Sequence, residues 1–301
     1  MNLLWSLKEM RTPFFDTLFG LITQLGEEMV LIAIFCTIFW CINKRIAYVL
    51  GASFFLSGLL VQGAKPLFRV PRPWVYDPTF QPVPGSVGAA TGYAFPSGHT
   101  QNGTALFGSL GAQIKHKIIK IVLFVVVALI AFSRLYLGVH YLADVLVSLV
   151  IGVLAIWLAI KFITDDPVSK KRELFMAGFI AFFAIVVIVI VAVLYYGGFT
   201  EAFQMRDSVI AAGAALGFAV GMYAERNYIR FSVKAQNLPV QLVKIVLGIA
   251  GVIAIQEGVR VLGANLFVDG LRYFLMVIWL TVAFPIIIKK FFTKKSEKPG
   301  N

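Results

Sequence analysis

Three short polar clusters interrupt the apolar first half of the chain. They are "KPLFRVPRP" at residues 65–73, "PSGH" at residues 96–99 and "SRLYLGVHYLAD" at residues 133–144. The clusters contain two of the chain's three histidines, together with several basic side chains and a carboxylate. Cations that bind phosphate oxygens and histidines that move protons are the residue types that phosphoryl transfer requires.

The clusters supply two kinds of anion-binding group. Lys65, Arg72 and Arg134 are cations; arginine offers planar donors that match phosphate oxygens, and lysine offers a compact point charge. Ser97 and Gly98 follow a proline and are predicted to lie at a helix N-terminus. Free backbone N–H groups and the helix dipole bind anions at such a position. The sequence therefore predicts a phosphate site.

Two histidines with different neighbours complete this hypothesis. His140 and Asp144 are four residues apart, and on a helix this spacing puts both side chains on one face. The carboxylate would keep one imidazole nitrogen protonated and leave the other more nucleophilic. His99 would lie beside the same anion. One histidine could then attack phosphorus while the other protonates the leaving oxygen.

The rest of the chain determines how these residues are positioned. Of its 301 residues, 59% are hydrophobic and 14% are charged, against about 25% charged in soluble domains. Since about 20 apolar residues span a bilayer core, the sequence predicts an all-α, polytopic transmembrane helical bundle. The predicted spans are 25–42, 46–64, 97–114, 119–137, 141–161, 174–196, 207–225, 240–262 and 270–288. Residues 3–22 are expected to be an interfacial helix, with a further crossing as the alternative.

The net charge of +12 does not indicate a nucleic-acid partner, because the basic residues form short clusters between apolar segments. In the connections after the first span, 17 lysines and arginines fall on one side and 6 on the other. The positive-inside rule assigns the richer side to the cytoplasm. The three polar clusters are then expected on the extracytoplasmic face of the cell membrane.

The three motifs, read as K-x6-R-P, P-S-G-H and S-R-x5-H-x3-D, occur complete and in this order. The chain resembles the type 2 phosphatidic acid phosphatase superfamily, which is related to the vanadium-dependent haloperoxidases. The resemblance covers roughly residues 25–161. It implies a phosphatase-like core, assigned to residues 1–164, and leaves residues 165–301 as additional transmembrane helices of unknown role.

The resemblance also implies a role for each motif residue. His140 would be the nucleophile that forms a phosphohistidine, Asp144 would orient it, and His99 would be the general acid. The residues that would hold the phosphate oxygens are Lys65, Arg72, Ser97, Gly98 and Arg134. Members of the family need no metal, and no carboxylate cluster near the motifs resembles a Mg²⁺ site. We therefore expect no metal or other cofactor.

The expected function is that of an integral membrane phosphatase that removes phosphate from a lipid phosphomonoester or lipid diphosphate. Phosphatidic acid, phosphatidylglycerophosphate and undecaprenyl diphosphate are candidate substrates, each reaching the site from the bilayer. A lipid phosphotransferase would use the same site with another alcohol in place of water. A transporter with a vestigial anion site is a third hypothesis, because four predicted spans lie outside the resemblance. The oligomeric state is not indicated by the sequence.

Overall fold

The chain folds into a bundle of α-helices. The computed structural model describes residues 1–88, 90–164, 170–234, 237–263 and 265–292, and these residues contain no β-strand. The helices are α1 (Asn2–Glu9), α2 (Pro13–Gln24), α3 (Glu28–Thr37), α4 (Lys44–Phe68), α5 (Pro73–Tyr76), α6 (Gly98–Gly103), α7 (Ser109–Gln113), α8 (Lys117–Tyr136), α9 (Leu142–Phe162), α10 (Lys170–Tyr196), α11 (Ala202–Ala224), α12 (Leu238–Arg260), α13 (Leu266–Ile278) and α14 (Phe284–Ile287). Turns of π-helix follow α3, α6, α11, α13 and α14. The predicted all-α bundle is confirmed.

The described part of the chain contains seven helices that are long and apolar enough to cross a membrane. The bent pair Pro13–Gln24 and Glu28–Ile42 makes an eighth if it counts as one span. The predicted span at 97–114 is helical from Gly98 to Gln113, shorter than the roughly 18 residues of a typical crossing. The first turns of this segment are buried against protein, as its Gly-rich composition suggests. The chain is a multi-pass integral membrane protein.

The N-terminal region differs from its predicted boundaries. Residues 3–22 were expected to form one helix before a span at 25–42, whereas α1 and α2 are separate and α2 meets α3 at a 45° bend. Gly26 lies in this break, where a Cβ atom would be 2.9 Å from the backbone oxygen of His99. Only glycine allows this close approach. The break therefore brings the chain against the PSGH segment.

Helix α4 is the central element of the bundle. In its most apolar window 78% of the residues are buried, whereas the corresponding value for α12 is 11%. It packs against α6 and α9 on the motif side and against α10 and α11 of the second half of the chain. Both halves are thus built on the helix that carries Lys65.

A buried ionic cluster joins the two halves at the end of α4 that is remote from Lys65. Glu225 is fully buried and accepts hydrogen bonds from Lys44 Nζ at 2.8 Å and from the Tyr48 hydroxyl. Beside it, Arg226 Nη2 lies 2.6 Å from Glu173 Oε1 on α10. Removing one partner of such a pair leaves a buried charge and costs about 3–5 kcal/mol. The cluster therefore fixes α10 and α11 against α4.

Glycines at every fourth position let α11 approach α13 closely. Gly213, Gly217 and Gly221 lie on one face of α11. A Cβ atom at Gly217 would be 2.7 Å from the backbone oxygen of Phe274. Small residues at this spacing allow membrane helices to pack with their backbones in contact.

Replacing Gly217 by leucine should separate α11 from α13. We expect Gly217→Leu to lower the stability by about 1–3 kcal/mol, because the added side chain has no space beside Phe274. Thermal unfolding of the purified protein in detergent measures this as a lower Tm. Gly178→Leu is the matched control, since Gly178 is an exposed helical position with no neighbouring atom within 4 Å. Equal Tm values for the two variants would contradict the proposed close packing.

Candidate active site

The sequence motifs meet at one end of the bundle because neighbouring helices run in opposite directions. Helices α4 and α8 end there, with Lys65 and Arg134 in their last turns. Helices α6 and α9 begin at the same end, and Arg72 lies in the connection that follows α4. The three clusters, which are widely separated in sequence, thus form one site.

His140 and Asp144 are in contact, but not in the predicted way. The sequence analysis placed both on one helix face, whereas α9 begins only at Leu142 and His140 lies in the preceding connection. Asp144 Oδ2 lies 3.2 Å from His140 Nδ1 and accepts a hydrogen bond from the Tyr141 N–H at 2.9 Å. The prediction that these two residues pair is confirmed. The helical geometry assumed for the pair is wrong, because the carboxylate reaches back over the start of the helix.

The neighbours of His140 determine which ring nitrogen carries its proton. Arg72 Nη1 lies 2.9 Å from His140 Nε2, and a guanidinium can only donate. Nε2 therefore accepts with its lone pair, and Nδ1 carries the proton that is donated to Asp144. The lone pair of Nε2, the position a nucleophile needs, is directed toward a cation that attracts phosphate.

Arg72 is fixed by backbone carbonyl groups. Its Nη2 donates to Thr91 O at 2.6 Å, its Nε to Gly92 O at 3.1 Å and its Nη1 to Val139 O at 2.9 Å. These acceptors come from the loop before α6 and from the connection before α9. The guanidinium therefore keeps one orientation beside His140, and no carboxylate of the described residues forms an ion pair with it.

Arg134 and Lys65 have donors that protein groups leave unused. Arg134 is 1% exposed, and only its Nη1 has a partner, Thr23 Oγ1 at 2.6 Å. Its Nε and Nη2 are buried without a hydrogen-bond partner among the described residues. Lys65 is also buried, and its ammonium forms no ion pair with a described carboxylate. Buried donors without partners, such as those of Arg134, are uncommon, and they remain available to an anion.

The start of α6 is only partly as predicted. The helix begins at Gly98 with Ser97 as its N-cap, and Ser97 Oγ accepts from the Thr100 N–H. The backbone N–H of Ser97, which was expected to bind phosphate, instead donates to Ser148 Oγ at 2.8 Å and to Asp144 O at 3.2 Å. This N–H is therefore taken by protein acceptors here, and the role of Ser97 toward phosphate stays a prediction. Gly98, whose absent side chain leaves its amide open, lies on the cavity wall.

His99 has an acidic partner that the sequence analysis missed. Its Nε2 lies 3.0 Å from Glu27 Oε1, a residue in the break between α2 and α3. Burial lowers the pKa of His99 below its ordinary value, and the hydrogen bond to the Glu27 carboxylate partly offsets this by stabilising the protonated imidazole. The adjacent pair Glu27 and Glu28 at the start of an apolar segment was a usable signal, because ionisable residues in spans are often functional.

A cavity of about 550 Å³ opens on this group of residues. Five of the eight predicted site residues line it: Lys65, Arg72, Gly98, His99 and His140. The other three are not on its wall: Ser97, Arg134 and Asp144. Asp144 contacts the wall residue His140, and Ser97 is the N-cap of the helix that begins at the wall residue Gly98. Arg134 lies behind the residues that form the wall, and its charge acts on the same cavity.

The second half of the chain contributes an acidic residue to the same cavity. Asp207, near the start of α11, lines the cavity and accepts a hydrogen bond from Thr91 Oγ1 at 2.8 Å. The backbone oxygen of Thr91 in turn accepts from Arg72. No motif marks Asp207, and its place in the site follows only from how α11 packs on α4. The additional helices therefore take part in the site.

Burial and the nearby cations determine the charge of His140. Burial, followed by the repulsion of Arg72, lowers the pKa of His140 well below its ordinary value of 6.5. The imidazole is therefore neutral at pH 7, the form in which Nε2 keeps a lone pair and can accept from Arg72.

Two family models match the chain. The model of the PAP2 superfamily matches residues 46–167, and that of the PAP2 superfamily phosphatase, transmembrane extension, matches residues 209–296. Together they span well over half of the chain, and the first contains all three motifs. The chain belongs to the PAP2 superfamily. The family resemblance inferred from the motifs is thereby confirmed.

Relatives of the chain are lipid phosphatases. Phosphatidylglycerophosphatase B of Bacillus subtilis is 27% identical over 54% of this chain and 81% of its own length. The undecaprenyl-diphosphatase of Sulfolobus acidocaldarius is 28% identical over 45% of this chain and 64% of its own length. The crystal structure of Aquifex aeolicus LpxE aligns with a TM-score of 0.46 and 25% identity, covering 53% of this chain and 93% of that one.

The low pKa of His140 predicts how the stability of this PAP2 protein depends on pH. Below about pH 6.5 the unfolded chain binds a proton at residue 140 that the folded state rejects. The free energy of unfolding should therefore decrease as the pH is lowered, by up to about 1.4 kcal/mol per pH unit from this one group.

Thermal unfolding at about pH 7.5 and about pH 5.5 tests this linkage. The Tm of wild type should decrease more between these two pH values than the Tm of His140→Gln, because the variant lacks the imidazole. The exposed His116, remote from the site, provides the control variant His116→Gln, which should behave like wild type. A loss in His140→Gln as large as that in wild type would contradict the prediction.

Proposed function

We propose that the protein is a phosphatase that removes phosphate from a lipid phosphomonoester or a lipid diphosphate through a phosphohistidine on His140. The observation that carries this proposal is the orientation of His140. Its Nδ1 is held by Asp144, and its Nε2 lone pair is directed toward Arg72 on the wall of the cavity. This arrangement is that of a nucleophile activated beside an anion site.

In the first half-reaction, the bound phosphate takes over the Arg72 N–H that Nε2 of His140 otherwise accepts. The Nε2 lone pair then attacks phosphorus and forms the P–N bond while the bond to the leaving oxygen breaks. His99 donates its proton to that oxygen, and Glu27 stabilises the protonated form of His99 beforehand. The alcohol, or the shortened phosphate ester in the case of a diphosphate, then leaves. His99 is now neutral and able to act as a base.

In the second half-reaction, His99 takes a proton from water as the water oxygen attacks the phosphohistidine. The P–N bond breaks, inorganic phosphate is released, and His140 regains its neutral Nδ1–H form. Asp144 keeps this proton on Nδ1 throughout the cycle. Interception by another alcohol in place of water would give phosphotransfer from the same intermediate.

Positive charge from side chains stabilises the transition state in this proposal. Lys65 and Arg72 line the cavity, and the unpartnered Nε and Nη2 of Arg134 lie behind it. The amide of Gly98 at the start of α6 adds a neutral donor. Preorganised donors of this kind can stabilise charge that develops on phosphate oxygens. We propose that this set replaces a metal ion and that the reaction needs none.

The substrate is proposed to be a lipid because the cavity lies at the end of helices that are long and apolar enough to cross a membrane. Its wall includes apolar residues of α12, among them Ile249, Val252 and Ile253, next to the charged groups. The relatives named for phosphatidylglycerophosphate and undecaprenyl diphosphate support the same substrate class. Phosphatidic acid, phosphatidylglycerophosphate and undecaprenyl diphosphate are the substrates proposed.

The site is proposed to face the outside of the cell membrane. The opposite end of the bundle carries basic residues at the helix termini, including Lys44, Lys117 and Lys161. Positive charge of this kind is enriched on the cytoplasmic side. Three lysines of the C-terminal tail that contribute to the sequence count, Lys294, Lys295 and Lys298, lie outside the described residues.

Phosphate release from the three candidate lipids tests the function. Wild type should release inorganic phosphate from at least one lipid, also with EDTA present, because the cations of the site come from side chains. His140→Ala should lower this rate by at least about a thousandfold, since the nucleophile is lost. His116→Ala is the matched control and should retain activity, because His116 is exposed and remote from the cavity.

Each result of this assay has a defined meaning. Failure of wild type on all three lipids would refute the phosphatase proposal. Inhibition by EDTA would refute metal independence. Labelled phosphate recovered on a second lipid would identify a phosphotransferase instead. Full activity of His140→Ala would refute the phosphohistidine.

The role of His99 predicts a dependence on the leaving group. His99→Ala should slow hydrolysis of a lipid phosphate by about 10²–10⁴-fold, because an alkoxide needs a proton to leave. With p-nitrophenyl phosphate, whose phenolate leaves without protonation, the loss in phosphoenzyme formation should be much smaller. Rapid-quench measurement of the burst separates this step from the second half-reaction. An equal loss with both substrates would contradict the general-acid role.

A further inference from the structure

A second cavity continues from the candidate active site into the bundle. It has a volume of about 200 Å³ and shares wall residues with the first cavity, among them Glu28, Gln62, Asn102 and Asp207. These four are the polar members of the shared set, which also contains Ile32, Val252, Tyr273 and Met276. Apart from Gln101 and Arg206, the rest of the wall is apolar, and it includes the rings of Phe35, Phe54, Phe55 and Phe218.

The second cavity runs along the bundle. On α4, the wall positions Gly58 and Gly51 lie seven and fourteen residues before Lys65. At a rise of 1.5 Å per residue, they are about 10 Å and about 21 Å below the Cα atom of Lys65 along the helix axis. The cavity thus extends from the phosphate-binding end toward the middle of the hydrocarbon layer.

Helix α11 of the extension forms the facing wall. Asp207, Ala211, Ala214 and Phe218 are spaced by three or four residues, so they share one helix face. This face is acidic where it meets the phosphate site. Farther from the phosphate site, the small side chains of Ala211 and Ala214 leave the cavity open. The ring of Phe218 then closes it. Tyr273 and Met276 of α13 close the same side.

We infer that this second cavity binds a hydrocarbon chain of the lipid phosphate, and that the transmembrane extension is thereby a substrate-selecting part of the enzyme. The inference rests on the proposed function, because it takes its occupant from the same substrate. Three observations support it: the wall shared with the phosphate cavity, the direction along the helix axis, and the change from polar to aromatic lining. A lipid phosphate whose phosphate group lies at Arg72 changes from charged to apolar along the same direction.

The two alanines of α11 determine the free width of the cavity, so a larger residue there should exclude the chain. We expect Ala214→Phe to lower kcat/KM for palmitoyl phosphatidic acid at least tenfold and to change that for butanoyl phosphatidic acid less than twofold. The short chain would not reach this depth. If the enzyme hydrolyses a lipid diphosphate instead, farnesyl diphosphate is the long-chain substrate and isopentenyl diphosphate the short-chain substrate. Both substrates are measured in the same detergent micelles.

Two further variants keep the test decisive. Ala214→Leu fills less space and should give the same selective loss in a milder form, in case the phenylalanine variant is unstable. Ala192→Phe is the matched control, because Ala192 lines a separate apolar pocket between α10 and α13 that shares no wall residue with the active site. It should leave the ratio of the two substrates unchanged.

A long-chain to short-chain ratio that stays at the wild-type value in both Ala214 variants would overturn the inference. A loss of equal size on both substrates would overturn it as well, because the effect would then lie at the phosphate. Failure of the function itself is a different result, since wild type would then hydrolyse neither substrate. A long-chain lipid phosphate with a diazirine in mid-chain gives a second readout: it should label α11 near Ala214 in wild type and lose this label in Ala214→Phe.

Discussion

The burial of positive charge at one end of a membrane bundle is the constraint on which the site depends. Arg134 is almost completely buried, and two of its nitrogen atoms have no partner among the described residues. Leaving such donors unpaired costs free energy in a medium that excludes water. The neighbouring elements hold this charge in place without neutralising it. Thr23 takes one N–H group of Arg134, and backbone carbonyls take those of Arg72.

The carboxylates near the site likewise do not pair directly with its cations. Asp144 is engaged by His140 and the Tyr141 amide, and Glu27 by His99. Asp207 accepts a hydrogen bond from Thr91, again a donor other than Lys65, Arg72 or Arg134. Each carboxylate thus contributes to the local field and orients a neighbour, while the described cations keep their capacity for an anion. A direct ion pair with Lys65 or Arg134 would have removed that capacity.

How much of this could be predicted depends on the range of the interactions. Lys65, Arg72, His99 and His140 were predictable because each lies in a motif whose order and spacing carry the family resemblance. The position of His140 before α9 was not, since it depends on Asp144 reaching back over the helix start. The contacts of Glu27 and Asp207 were out of reach as well. They depend on a helix break and on helix packing, which leave no periodic pattern in the sequence.

The extension illustrates why the composition of a span says little about its role. Helix α11 is apolar and glycine-rich, and it packs closely against α13. The same helix places Asp207 at the phosphate cavity, two alanines beside the apolar cavity and Glu225 in the ionic cluster with Lys44. Because α4 is central and α11 is fixed along it at both ends, the register between these two helices determines all three contacts. A shift by one helical turn would move Asp207 about 5.4 Å from the site and close the space beside Ala214. The buried Glu225–Lys44 pair, far from the chemistry, therefore helps to maintain the geometry of the active site.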